Sequence, residues 1–166
     1  MDAARPDAEP VPRMPSPLRA FLGAIVAVAA IALALPDGGI AEAIGAWAWL
    51  GLLPLAAGLG LLLRADAQFR VAGTTVRPFR PAARLVTDGA FAWSRHPMYL
   101  GMLLMLAGLA TVLGSPLALL ACCMPFALYM ERTFMLPEEW RLESQFRHEY
   151  REYRQRVGRW VSLNWG

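Results

Sequence analysis

Residues 85–101 read LVTDGAFAWSRHPMYLG, and this stretch joins a polar loop to a long apolar run. From Pro97 to Met130 the chain carries no charged residue. As one helix at ~1.5 Å per residue it would far exceed the ~30 Å hydrocarbon layer of a bilayer. Gly114, Ser115 and Pro116 fall near its middle and mark a turn, so the run predicts a hairpin of two membrane helices, about 97–113 and 116–131. His96 then stands at the mouth of a membrane-buried segment. An ionisable group at that depth is costly unless it is partnered, which makes it a candidate site residue.

Upstream the pattern is similar. Ala20–Leu35 is uncharged and Pro36-Asp37-Gly38-Gly39 stops it; Ala43–Leu63 is uncharged and Arg64 follows. These predict helices over about 18–36 and 43–63, the second with Trp47 and Trp49 near its start as an interfacial aromatic belt. Residues 1–17 hold five prolines and scattered charge, a composition expected to stay disordered. A cleaved signal peptide fits poorly, because the apolar run starts only after this segment. The expected fold is all-α: one integral membrane domain over 18–166, with about four transmembrane helices.

Composition agrees. The chain of 166 residues is 57% hydrophobic and 17% charged, below the ~25% charged typical of soluble domains. Its formal charge is only +3, and all 16 basic residues are arginines placed beside apolar segments. That distribution excludes a separate nucleic-acid-binding surface. Cys122 and Cys123 are adjacent in an apolar run, unsuited to a mutual disulfide and too few for a metal site. The arginines lie in the N-terminal segment, the 64–95 loop and the C-terminal segment, and none in the two short connections. The positive-inside rule therefore predicts both termini and the long loop in the cytoplasm, with the inner membrane of a prokaryote as the expected location.

The C-terminal segment becomes highly charged after Met130. Glu139, Leu142, Phe146, Tyr150, Tyr153 and Val157 recur at three- or four-residue steps, so they form one stripe of a helix expected over about 137–158. Pro137 suits a first helical turn. Glu139 is the odd member, a carboxylate on the apolar stripe, and it needs a partner there. Taken singly, Arg95 and Arg132 fit positive-inside anchors, and Glu138 and Glu139 fit ordinary helix-start charge.

Together the two segments resemble the isoprenylcysteine carboxyl methyltransferase and phospholipid methyltransferase superfamily of membrane enzymes. The family couples an R-H-P-x-Y-x-G element to a later E-E-x-x-L-x-x-x-F-G-x-x-Y-x-x-Y-x-x-x-V-x-R element. Arg95, His96, Pro97, Tyr99 and Gly101 supply the first; Glu138, Glu139, Leu142, Phe146, Tyr150, Tyr153, Val157 and Arg159 supply the second. Arg147 stands where the pattern has Gly.

The resemblance implies methyl transfer from S-adenosylmethionine, without a metal, to a lipophilic or lipid-linked acceptor at the cytoplasmic membrane face. It implies that His96 and Glu139 contact the cofactor, that Pro97, Tyr99 and Gly101 shape its pocket, and that Glu138 also contributes. Arg95 or Arg132 would orient an anionic acceptor as a cationic fork. Two other readings stay open: an NADPH-dependent reductase of sterol or enone type, and a non-catalytic membrane protein. No G-x-G-x-x-G dinucleotide element occurs. The acceptor, whether carboxylate, amine or thiol, is not legible in the residues.

Overall fold

The computed structural model describes residues 16–35, 48–73 and 84–162. The described residues are helical, with no strand among them. Among the described residues are five α-helices: α1 (Pro17–Ala34), α2 (Leu52–Val71), α3 (Pro97–Val112), α4 (Pro116–Met130) and α5 (Leu136–Arg156). The expected N-terminal tail and the first connection lie outside the described residues, apart from Ser16 and Pro17, which begin α1. Ser16 caps that helix, its hydroxyl accepting from the Arg19 N–H at 3.2 Å, and Pro17 occupies the first turn, where a missing N–H costs nothing.

Among the described residues, three helical stretches are long and apolar enough to cross a membrane: Pro17–Ala34, Ala48–Val71 and the stretch that begins at Pro116. Pro97–Val112 is equally apolar but shorter. Exposed large apolar residues on the outer faces, among them Leu22, Val26, Leu33, Leu53 and Leu120, form the surface a bilayer would cover. Inside, Phe21 and Val28 of α1 meet Leu106 and Ala110 of α3 and Cys122 and Phe126 of α4.

The closest helix pair is α2 with α3, and glycine spacing explains it. Gly51, in the 3-10 turn that leads into α2, faces Gly108, and Gly58 faces Gly101, an antiparallel register with members seven positions apart on each side. A Cβ at Gly101 would lie 2.7 Å from the Gly58 carbonyl oxygen, and one at Gly58 would lie 2.5 Å from the Gly101 oxygen. Only absent side chains let the backbones approach so nearly. Gly101, expected from the family resemblance to shape a cofactor pocket, lies at this helix contact. The turn at Gly114, Ser115 and Pro116 forms as expected. Gly114 takes a positive φ of 64° and Ser115 caps α4 through the Ala118 N–H.

Two boundaries differ from expectation. Arg64 does not end the second helix, which continues to Val71. Asp66 and Arg70 pair along that extension, as i, i+4 charges do on a helix in water. Its inner face grips the following loop: Gln68 donates to the Asp88 carbonyl and accepts from the Ala90 N–H, while Phe69 packs on Phe91 with ring centroids 4.8 Å apart. A Cβ at Gly89 would collide with the Gln68 amide.

Likewise, α4 does not stop at residue 131. It runs through a π-helical turn, Glu131–Met135, directly into α5, so the expected separate C-terminal helix is a continuation. Pro137 lacks the N–H an α-helix would need there. The widened turn, in which the Leu136 N–H bonds to the Glu131 carbonyl five residues back, accommodates it. Helical geometry fails once more at Arg147, with φ 44° and ψ −103°. Such a conformation suits glycine and costs a side-chain-bearing residue about 1–3 kcal/mol. The resemblance to the family pattern, with Gly at this position, is thereby given a backbone reason.

Candidate functional site

The site is built where the start of α3, the π-turn and the start of α5 converge with residues 157–162. Its first component is the Ser94-Arg95-His96-Pro97 corner. Residues before proline avoid helical geometry, and His96 takes φ −129° and ψ 61° as the cap of α3. The Ser94 hydroxyl accepts from the His96 N–H at 3.1 Å and donates to the Arg159 carbonyl at 3.1 Å. Alongside, the Arg95 N–H donates to the Gly158 carbonyl at 3.0 Å and the Ser162 N–H to the Trp93 carbonyl at 2.8 Å. The segment after α5 thus folds back along residues 93–95.

Glu139 is the hub. It is 4% exposed and accepts four side-chain contacts. Arg159 grips it bidentately, Nε to Oε1 at 2.8 Å and Nη2 to Oε2 at 2.9 Å. Arg95 Nη1 lies 3.1 Å from Oε1, and His96 Nε2 lies 3.2 Å from the same oxygen. The buried carboxylate found on the apolar stripe is therefore satisfied by charge and by hydrogen bonds, as burial demands. Arg159 reaches on to Glu131, whose second oxygen accepts from the Trp160 indole at 3.4 Å. Hydrogen bonds to Glu139 hold the Arg159 guanidinium above even its usual high range.

Glu138 is left more open. Its side chain is 35% exposed and lies 3.9 Å from His96 Nδ1. Tyr99, buried and stacked on the His96 ring with centroids 5.7 Å apart, donates its hydroxyl to Glu138 at 3.4 Å. Arg95 is almost wholly enclosed. One nitrogen meets Glu139 and the Tyr150 hydroxyl, but its Nε, also buried, has no partner. Beneath it Tyr153 donates to the Phe91 carbonyl at 2.7 Å. Together with Tyr150, Leu85 and Val157 it makes a second apolar cluster, so most of the α5 stripe packs on the 85–92 loop.

Arg95, His96, Pro97, Tyr99, Glu138 and Glu139 thus come together. Gly101 faces α2, as above. Arg132 does not join them: it is exposed on the π-turn and makes no ion pair among the described residues. The residue that carries cationic charge onto the glutamates is Arg159, from the far end of the segment. Glu131 and Ser94 also belong to the network. Arg159 was visible as the last member of the second element; Glu131 looked like any charge at the end of a span.

The sequence of the phospholipid methyltransferase family matches this chain over residues 46–149. The chain belongs to the phospholipid methyltransferase family. The matched region contains every site residue up to Glu139 and stops just short of Tyr150 and Arg159, which the family member's structure adds to the same network. Among curated proteins, it is 37% identical over 75 residues to a protein-S-isoprenylcysteine O-methyltransferase of Tribolium castaneum. That match takes in 45% of this chain and 26% of the relative. It is also 42% identical over 64 residues to an uncharacterized protein of Haemophilus influenzae, 39% of this chain and all of that one. Among solved structures it is similar to the eukaryotic intramembrane Ras methyltransferase, isoprenylcysteine carboxyl methyltransferase. The TM-score is 0.65 at 25% identity, over 92% of this chain and 54% of the other. The phospholipid methyltransferase family member described here spans about half the length of that enzyme and a quarter of the Tribolium one.

Proposed function

We propose that the protein transfers a methyl group from S-adenosylmethionine to a lipophilic or lipid-borne acceptor at the cytoplasmic face of the membrane. The observation that carries this reading is the charge of the Glu139 network. Two arginines, Arg95 and Arg159, stand against three carboxylates, Glu131, Glu138 and Glu139. With Glu138 ionised the carboxylates outnumber the guanidiniums by one; burial pushes the Glu138 carboxyl up, so an incoming cation is what favours that charge. S-adenosylmethionine carries a sulfonium and an ammonium against one carboxylate, so its single net positive charge complements that surplus. The phosphates of NADPH would instead face three carboxylates, which disfavours the reductase reading.

The unsatisfied groups fit the same cofactor. The orphaned Arg95 Nε is a donor for a carboxylate, and the half-open Glu138 is an acceptor for an ammonium. His96 and Tyr99 present stacked rings beside them, Glu139 fixes both His96 and Arg95, and Pro97 fixes the turn that aims them. When bound, the cofactor supplies an electrophilic methyl on a good leaving group. The protein's part is to hold donor and acceptor in line and exclude water, an effect worth up to about 7–11 kcal/mol. In this reading Arg95 positions an anionic partner, Arg132 stays a membrane-edge anchor, and Gly101 acts only by letting α3 lie against α2.

The apolar helices on one side of the network offer the acceptor a route from the bilayer. At ~1.5 Å per residue α3 is about 24 Å long, short of the ~30 Å hydrocarbon layer, so a fourth crossing by this helix requires the bilayer to thin around it. Four crossings put both termini in the cytoplasm, by the positive-inside rule in a prokaryotic inner membrane. A direct test incubates membranes holding the protein with methyl-labelled S-adenosylmethionine and measures label in the organic extract. Label that depends on the protein and disappears with His96→Ala is expected; equal label with and without the protein would refute methyl transfer.

A further inference from the structure

A second basic feature is a cleft between the α2 extension and residues 84–88. Arg64, Ala67, Gln68, Val71 and Ala72 fall at i, i+3, i+4, i+7 and i+8, and so line one face of the α2 extension. Across from them run Arg84, Leu85, Val86, Thr87 and Asp88, and the cleft between encloses about 530 Å³. None of the Glu139 network lines it. Gln68 fastens its floor through Asp88 and Ala90.

Its position along α2 determines what it can meet. Arg64 is the first charge after the uncharged run that ends at Leu63, so it marks the edge of the hydrocarbon layer. Ala72 lies eight residues further, about 12 Å along the axis, which takes the cleft through the headgroup layer and into water. Leu63, exposed on the same helix at that edge, gives acyl chains a surface to lie against. Neither Arg64 nor Arg84 has an ion-pair partner among the described residues, and both are exposed. Asp88 brings the opposing charge to the cleft, and its carboxylate makes no capping bond to the turn that follows it. Two unneutralised guanidiniums at headgroup depth recognise phosphate.

We infer that this cleft binds the phosphate of an anionic phospholipid headgroup, as a lipid site distinct from the reacting centre. It does not depend on the methyl-transfer reading. Its partner is the lipid in place in the bilayer, held by Arg64 and Arg84, and weakened by Asp88.

The test uses the full chain in nanodiscs of phosphatidylcholine containing phosphatidylglycerol, with retained lipid measured by native mass spectrometry. Phosphatidylglycerol should be enriched on the wild type. Each arginine near a membrane surface contributes about fivefold, so Arg64→Gln with Arg84→Gln should lower the enrichment roughly twenty-five-fold. Arg64→Lys with Arg84→Lys should retain most of it. Asp88→Asn should raise it about threefold, a gain that a merely structural role would not produce. Millimolar inorganic phosphate should not displace the lipid. Equal retention by wild type and the glutamine pair, no response to Asp88→Asn, or displacement by inorganic phosphate would each overturn the assignment.

Discussion

Glu139→Ala is expected to destabilise the protein by about 3–5 kcal/mol, the usual consequence of removing one partner from a buried ion pair. Arg95 is buried with its side chain 9% exposed, and Glu139 is its only carboxylate among the described contacts. Removal leaves that guanidinium enclosed without a counter-charge and frees Arg159 from its bidentate grip. The C-terminal segment would then be held to residues 93–95 by backbone hydrogen bonds and the Ser94 hydroxyl's bond to the Arg159 carbonyl. The expected readout is a lower unfolding midpoint in detergent together with loss of cofactor binding. Glu139→Gln should destabilise much less, since an amide still accepts from Arg159 and His96. A Glu139→Ala midpoint equal to wild type would show that the hub is not structural. His96 is the cleaner position, because its loss leaves the Arg159–Glu139–Arg95 arrangement in place.

The second large effect lies in the membrane. Gly58→Leu should destabilise by at least about 3 kcal/mol, comparable to severe overpacking of a core. Its Cβ would meet the Gly101 carbonyl oxygen at 2.5 Å and Met105 at 2.9 Å. These are mostly backbone atoms of a packed helix and cannot move aside singly. Separating α2 from α3 would also shift the loop that Gln68 and Phe69 hold, and with it Arg95 and His96. Gly60→Ala is the matched control. Its Cβ would meet nothing within 4 Å, and alanine gains about 1 kcal/mol of helix propensity over glycine. Unfolding midpoints that do not separate Gly58→Leu from Gly60→Ala would refute the close register.

How much of this could be read from residues alone depends on the kind of signal. The charge-free runs determine α1, α3 and α4 nearly to the residue, because the bilayer tolerates few exceptions. The spacing of the Arg95-His96 and Glu138-Glu139 elements pointed to a shared site, and the structure brings those four residues together. Charge, however, is a poor marker of helix ends. Arg64 reads as the end of a span, yet the helix persists because Gln68 and Phe69 have a tertiary task that no local pattern records. The junction at 131–135 was hidden for a related reason: Pro137 announces a helix start, and a π-turn is a geometry without a residue signature. Arg159 joins the Glu139 network and Arg132 does not, because the return of residues 157–162 onto 93–95 is set by hydrogen bonds between residues far apart in sequence.

The most direct test of the central claim is calorimetric titration of the detergent-purified protein with S-adenosylmethionine and, separately, with NADPH, with His96→Ala alongside. Saturable binding of S-adenosylmethionine, lost in His96→Ala while its unfolding midpoint stays near wild type, is the expected result, with no heat from NADPH. Binding of NADPH, or S-adenosylmethionine binding unchanged by His96→Ala, would contradict the account.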